Sequence, residues 1–317
     1  MVRPGAAPER GTVVPPLWEM KCVSKDANAG GTAEGLPFVP TYWDERLFCF
    51  LFWRHTMVSR RIRFLFSVLT AVVLIIGLCA GDGALSGNGQ ALPILMYHDV
   101  VEDGQPCNTW TVTAGRLRED LQWLKDHDYT CILPRDLEKG PLPKGKSVLI
   151  TFDDGYESNY RLAFPILKEF GDKAVISLIT KYVDEGDAEF LTWDMCREME
   201  ASGLVEFGSH TYDLHQDQPR GIRRAPGETQ DAYDRRVFPD LDTSVSLIQK
   251  NLHSNVLFFA YPYGQKEPWA SDYLYQHFSM TVTTKYGLAN LACGRYDLPR
   301  YTVSMEESAA HHLGGRP

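Results

Sequence analysis

Two adjacent carboxylates, Asp153 and Asp154, followed at once by Gly155, close a short apolar run rich in β-branched residues, 148–150. Such a run reads as a buried strand. In folds built of parallel strands, chemistry collects where strands end and loops open onto a crevice. Successive residues at a strand end point in different directions, so one carboxylate can bind a metal ion while its neighbour takes a proton. Taken by itself, Asp-Asp-Gly reads as a polar turn, since Asp and Gly are ordinary turn formers. A second stretch weighs against that reading: Ser209-His210-Thr211-Tyr212-Asp213-Leu214-His215. On a regular helix two histidines five apart would sit about 140° apart, at about 100° per residue, too far round to share one ion. On a loop leaving a short strand, 205–207, they can converge. Imidazoles with a carboxylate and an open position describe a catalytic zinc-type site.

Those motifs need elements to carry them, and from Ala91 onward the pattern becomes regular. Residues 92–97 (LPILMY) predict a strand ending at His98-Asp99. Thr113 is placed to cap a helix in which Leu117, Leu121 and Leu124 share one face. Further strands are expected over 148–152, 174–179, 205–207, 256–261, 280–284 and 297–303. Helices are expected over 160–170, 193–202, 244–252 and 269–278, the first closing at Gly171 and the second at Gly203. Residues 216–240 read as a polar surface insertion, and the tail beyond Val303 as disordered. Strands alternating with helices predict a parallel α/β sheet, open or closed into a barrel.

The chain has 317 residues, enough for one large α/β domain or two small ones. A formal net charge of -9 argues against a general nucleic-acid binder, which would carry a basic face. The seven cysteines form no CxxC pair and no metal-ligand cluster. Cys107, Cys131, Cys196 and Cys293 are scattered, which leaves both one or two disulfides and buried free thiols open.

Residues 1–56 have no consistent period and read as an extension without a fold of its own, with Met57 as the expected biological start. Arg60, Arg61 and Arg63 precede an apolar run over 64–80, the layout of an export signal or N-terminal anchor. The run is only marginally long enough to span a bilayer, so residues 57–83 are expected to be either a cleaved signal or a retained anchor. Residues 84–90 are Gly-rich and polar, as a linker would be.

Thr151-Phe152-Asp153-Asp154-Gly155, taken with the His210–His215 stretch, resembles the polysaccharide deacetylase family (carbohydrate esterase family 4, the NodB-homology domain) over residues 91–303. Met96-Tyr97-His98 and the His-x4-His spacing are most similar to the branch containing poly-β-1,6-N-acetylglucosamine N-deacetylases. The peptidoglycan and chitin enzymes usually space those histidines one residue closer. The resemblance implies a distorted (β/α) barrel, a single catalytic domain, and removal of acetyl groups from N-acetylated sugars; the export-signal layout ahead of it makes the expected place extracytoplasmic, as a secreted or anchored enzyme. It makes Asp153 the general base, His98 the general acid, and Asp154, His210 and His215 the ligands of a divalent metal. Zinc is the first choice, with nickel, cobalt and ferrous iron as alternatives.

Phe259-Ala260-Tyr261-Pro262-Tyr263-Gly264 resembles the family's third motif, in which the backbone N–H matching Tyr263 is the expected oxyanion donor. Ala260 stands where many members have an arginine that pairs with the base, and Arg295 and Arg300 are the candidates to replace it. Arg300 is also a candidate for the substrate-binding set, with Trp193 and Tyr263 as aromatic faces for sugar rings. Two rival readings are a barrel glycosidase and an inactive carbohydrate-binding relative. The first is disfavoured because retaining glycosidases need carboxyl groups about 5 Å apart across a bond, which neighbours in sequence are poorly placed to provide. The second is disfavoured because Asp153, Asp154, His210 and His215 are all present. The β-1,6-linked polymer is the favoured substrate, with peptidoglycan or chitooligosaccharides the runner-up.

Overall fold

The computed structural model describes residues 91–216 and 218–315; the expected extension, signal or anchor, and linker over 1–90 lie outside them. Among the described residues no helix is long and apolar enough to cross a membrane. The strands are β1 Ala91–Leu92, β2 Ile94–Tyr97, β3 Asp99–Val101, β4 Thr111–Thr113, β5 Tyr129–Cys131, β6 Lys146–Phe152, β7 Ala174–Leu178, β8 Val205–Ser209, β9 Phe258–Ala260, β10 Met280–Tyr286, β11 Ala289–Asn290 and β12 Leu298–Thr302. The helices are α1 Ala114–Asp126, α2 Pro134–Glu138, α3 Phe164–Phe170, α4 Thr180–Glu185, α5 Trp193–Ala201, α6 Gln230–Leu252, α7 Pro268–His277 and α8 Ala309–Leu313.

Parallel strands run in the order β2, β12, β10, β9, β8, β7, β6, and β2 pairs back onto β6 from Ile94↔Leu149 to Tyr97↔Phe152, which closes a barrel. Closure pairs each of these seven strands on both sides, while β5 joins the lower part of β6 outside the circle, at Tyr129↔Lys146 to Cys131↔Val148. The circle is uneven: β8 meets β9 through one register pair, Ser209↔Phe259, and the β10–β12 register shifts between Val282 and Tyr286. The distorted (β/α) barrel read from the motifs is the fold of this chain.

The two-residue side-chain period sorts the apolar residues into two cores. Leu92, Ile94, Leu149, Val175, Phe258, Ala260, Val282 and Leu298 fill the barrel. Leu95, Tyr97, Ile150, Phe152, Ile176, Phe207, Phe259 and Tyr301 face the helices outside. Each fully buried side chain of this kind contributes about 1.5–3 kcal/mol relative to an exposed one. The same alternation has a consequence above the barrel. The inward series continue as Ile94, Met96, His98 on β2, as Leu149, Thr151, Asp153 on β6, and as Glu206, Gly208, His210 on β8. Three candidate site residues therefore end up over one mouth because of strand geometry alone.

Helix α1 forms as its periodicity predicts: Thr113 caps it by accepting from Arg116 N, and Leu117, Leu121 and Leu124 are buried. Two expectations fail. The segment 216–240 is not simply a surface insertion, because its second half belongs to the 23-residue α6, capped by Thr229 and continuing through Pro239. The internal proline and dense polar residues hid a helix whose buried stripe is Tyr233, Val237, Leu241, Ser244, Ile248 and Leu252. The tail is not disordered either. Ser308 caps α8, Ala309 and Leu313 are buried, and Ala309 N donates to Asp120 Oδ1 at 2.9 Å. Asp120 also accepts the Tyr97 hydroxyl at 3.0 Å, and burial pushes its carboxyl up to about 6. The signal for this tie was the acid on the apolar face of α1. Among the described residues, Cys107, Cys131, Cys196 and Cys293 are free thiols, and the disulfide alternative falls.

Candidate active site

Asp153 closes β6 with its backbone N donating to Tyr97 O at 2.9 Å, so the carboxylate stands over the filled barrel, 2 % exposed. A buried carboxylate needs a counter-charge, and Arg300 supplies it from β12, which only β2 separates from β6. On β12 the inward series is Leu298 then Arg300, so the guanidinium rises inside the barrel toward β6. Its Nη1 and Nη2 donate to Asp153 Oδ1 and Oδ2 at 2.9 and 2.6 Å. Nε donates to Thr283 O at 2.9 Å, and Nη1 also reaches Thr151 Oγ1 at 3.0 Å. Burial alone would raise the Asp153 pKa, but the Arg300 charge and the bidentate pair outweigh it and hold the carboxyl well below the usual range. The arginine absent at Ala260 is thus replaced from β12. Arg295 is engaged elsewhere, with Glu138 at 2.8 Å and Leu137 O. Arg300 is not an open substrate contact, being enclosed beneath Asp153.

The next residue turns the other way. Asp154 has φ 72 and Gly155 φ 81, a pair of left-handed residues that swings the chain off the strand. Gly155 suits this turn because L side chains rarely adopt φ 81, and a Cβ there would also lie 2.7 Å from Leu178 Cδ2. The carboxylate of Asp154 then meets both histidines: its Oδ1 is 3.4 Å from His210 Nε2 and 3.4 Å from His215 Nε2. Ligand atoms of these three residues all lie within 4.8 Å of one another. Donors on a tetrahedral zinc at about 2.0–2.1 Å would sit about 3.3 Å apart, so the spacing suits such an ion.

The remaining ring nitrogens are occupied as ligation would need. His210 Nδ1 lies 2.8 Å from Ala260 O, so Nδ1 carries the hydrogen and Nε2 presents its lone pair. The Tyr263 hydroxyl donates to His215 O and lies 3.0 Å from His215 Nδ1, consistent with Nδ1–H donating to it. Asp154 Oδ1 is buried with no hydrogen-bond partner, an acceptor left for a cation. Burial, and then the Asp153 charge, push Asp154 up to about 7. Burial lowers His210 to about 4 and His215 to about 3, which keeps both imidazoles neutral and able to ligate.

His98 ends β2 and lies within the field of Asp153, Arg300 and His215. Burial lowers its pKa to about 4, against an upward pull from Asp153. Asn159 Nδ2 holds its carbonyl at 2.8 Å, and Trp110 meets its ring edge-on at 4.8 Å. Tyr263 sits in left-handed backbone at φ 57, beside Gly264 at φ 66, where a Cβ would lie 2.1 Å from Thr284 Oγ1. Its phenol steadies His215 rather than offering a free face. Trp193 does not join this group: it begins α5, packs against the outer core, and its indole donates to Asp184 at 3.4 Å.

The histidine loop is held by a part of the chain that the sequence misread. Both carboxylate oxygens of Asp240 on α6 accept from the loop, from Tyr212 N and Asp213 N, each at 2.8 Å. Ser244 on the same helix bonds Ser209 at 2.8 Å, and Ser209 Oγ accepts from Thr211 N. Thr211 needs that restraint, because a β-branched residue at φ 74 is strained by about 1–3 kcal/mol. Asp240→Ala should loosen the loop and weaken zinc binding about 10- to 100-fold, the usual cost of losing an outer-shell partner. Competition with a chromogenic chelator checks this; unaltered affinity would leave Asp240 a helix-surface residue only.

The polysaccharide deacetylase family model matches residues 141–282, which include β6, β8 and the β9 turn. YxkH of Bacillus subtilis (strain 168), a proposed polysaccharide deacetylase, is 32% identical over 218 residues, 67% of this chain and 71% of its own length. The poly-beta-1,6-N-acetyl-D-glucosamine N-deacetylase of Escherichia coli (strain K12) is 29% identical over 248 residues, covering 68% of this chain but only 37% of that enzyme. Among solved structures, the Streptococcus pyogenes deacetylase PplD in complex with acetate superposes with a TM-score of 0.60 at 28% identity, over 72% of this chain and 99% of that one.

Proposed function

Because this chain belongs to the polysaccharide deacetylase family, we propose that it is a metal-dependent N-deacetylase of an N-acetylglucosamine polysaccharide, poly-β-1,6-N-acetylglucosamine first among them. The observation that carries this reading is the Asp154–His210–His215 triangle beside an arginine-clamped Asp153. The triangle would hold a divalent ion, zinc first, which when bound supplies Lewis-acid polarisation of the acetamide carbonyl and a nucleophile at neutral pH. The chain's own groups do the rest. Asp153 is ionised at neutral pH and takes the proton of the attacking water, and Arg300 fixes its two oxygens in place. The Tyr263 backbone N–H donates to the developing oxyanion. His98 delivers a proton to the departing amine nitrogen.

His98 is largely neutral at pH 7 before substrate arrives, since burial lowers its pKa to about 4. Negative charge developing beside it favours the imidazolium and raises that value. The protonated form is lost as pH rises through its pKa, so the alkaline limb of the pH–rate profile belongs to His98. His98→Ala should keep zinc and bind oligosaccharide, while its rate falls about 100-fold or more. A near-normal rate with an unaltered alkaline limb would assign the proton to another donor. Zinc binding itself should weaken as pH falls below about 7, where Asp154 takes up a proton that the ion must displace.

The deciding experiment measures acetate released by purified, zinc-loaded protein from poly-β-1,6-N-acetylglucosamine, chitooligosaccharides and peptidoglycan. Acetate release without shortening of the chain is expected, fastest for the β-1,6 polymer. A shortened polymer would mean a glycosidase, and binding without either product an inactive relative. We place this activity outside the cytoplasmic membrane, with residues 57–83 as signal or anchor, which cell fractionation with and without residues 64–80 tests.

A further inference from the structure

Trp110 is the one exposed tryptophan among the described residues, 48 % accessible, and it stands at the mouth of the barrel. Leaving so large an apolar ring in water forgoes burial worth roughly 25 cal/mol per Å². The chain nevertheless holds it firmly there. Trp110 N donates to Asn108 Oδ1 at 2.7 Å, and Thr111 Oγ1 reaches the same oxygen at 3.1 Å. Trp110 O accepts from Asp99 N at 3.3 Å, which starts the β3–β4 pairing. Asp99 is held in turn by the Ser158 hydroxyl at 2.7 Å. The residue between Asp99 and β2 is His98, and the indole lies edge-on to its imidazole at 4.8 Å and 61°. An indole fixed to the backbone that bears the candidate acid, with much of its surface open, is a preformed apolar platform next to the reacting atoms.

We propose that Trp110 determines substrate specificity, stacking on the apolar C–H face of the sugar ring next to the one that loses its acetyl group. The inference rests on the deacetylase reading above and names where the chain of the polymer is gripped. Every pyranose presents such a face whatever its linkage, and a rigid aromatic ring makes the contact at low cost in conformational entropy. The contact needs at least two sugar rings, so it discriminates chains from single sugars.

The test uses the full chain with zinc bound and follows acetate release from N-acetylglucosamine and from β-1,6-linked oligomers of increasing length. Trp110→Ala should lower kcat/KM for oligomers about tenfold, chiefly through KM, with a smaller loss for the monosaccharide. Trp110→Tyr should restore most of it, and zinc content should match wild type in both variants. In the Asp153→Asn background, calorimetric titration with oligomer should show the same weakening on adding Trp110→Ala. If wild type deacetylates oligomers and Trp110→Ala matches it, this inference falls and the deacetylase reading stands. Equal losses on monosaccharide and oligomers, confined to kcat with a shifted pH profile, would make Trp110 only a shield for His98 and overturn it. If wild type neither binds nor deacetylates any such sugar, the substrate reading falls first and this one with it.

Discussion

Protein stripped of metal should release no acetate, and added zinc should restore the rate in proportion to the zinc bound. The physical reason is the charge balance at the mouth of the barrel. Asp153 is balanced by Arg300, but Asp154 has no cation in contact: two neutral imidazoles and the Tyr156 hydroxyl face it, and one of its oxygens has no partner. Burial and then the Asp153 charge push its carboxyl up to about 7, and a cation bound there would oppose both. His210→Ala takes one of three ligands and should lose both bound zinc and activity. Asp153→Asn should separate the two: it keeps all three ligands, so zinc content stays near one per chain, while the rate falls about 10²- to 10⁴-fold with loss of the base. Full activity in chelated protein, or zinc lost equally in Asp153→Asn and His210→Ala, would refute the division of labour between the two acids.

Arg300→Leu should lower the stability of the fold sharply. Removing one partner of a buried ion pair costs about 3–5 kcal/mol, because the other charge stays behind without compensation. Asp153 would be that charge, enclosed between Thr151 and the mouth. The urea midpoint should fall accordingly. In the fraction that folds, the Asp153 pKa should rise, since burial would act without the guanidinium opposing it. A base is active only above its pKa, so the acid limb of the pH–rate profile should move to higher pH. Arg300→Lys, with one ammonium in place of a fork, should recover part of the stability but not the two-point hold on the carboxylate. A variant as stable as wild type with an unmoved acid limb would show that Arg300 is not what orients the base.

The barrel and the triangle were legible because both follow from short-range rules. Period two along β6 and β8 aims Asp153 and His210 inward, and a loop after β8 lets His215 return to the same point. What sequence could not decide was which of two arginines reaches Asp153. Arg295 and Arg300 are equally charged and five residues apart, and only the inward phase set by Leu298 selects the second. The helix over 244–252 was legible, but the first half of α6 was hidden by its composition: Pro239 and a run of charges look like a loop until a buried stripe is seen. With it went Asp240, whose role depends on contacts 27 and 28 residues away. Trp193 has the ring type a sugar face needs, but at the start of α5 it packs against the outer core instead. Trp110 carried no pattern at all, since a tryptophan after a polar loop is distinguished only by what lies beside it.

The guanidinium that enters from β12 also constrains how this barrel could change over time. Positions 260 and 300 both face the interior beneath the same carboxylate, so a change at one bears on the other. Ala260 already faces the filled interior, so an arginine introduced there while Arg300 remains would put two like charges and excess volume over a single carboxylate. Removing Arg300 first would strand the base. Each single step is therefore a valley, and the two arrangements exchange only by a paired change or through a smaller cation as an intermediate. Chimeras that swap strands between relatives using opposite arrangements should accordingly fail when the seam falls between β9 and β12, and survive when both strands travel together.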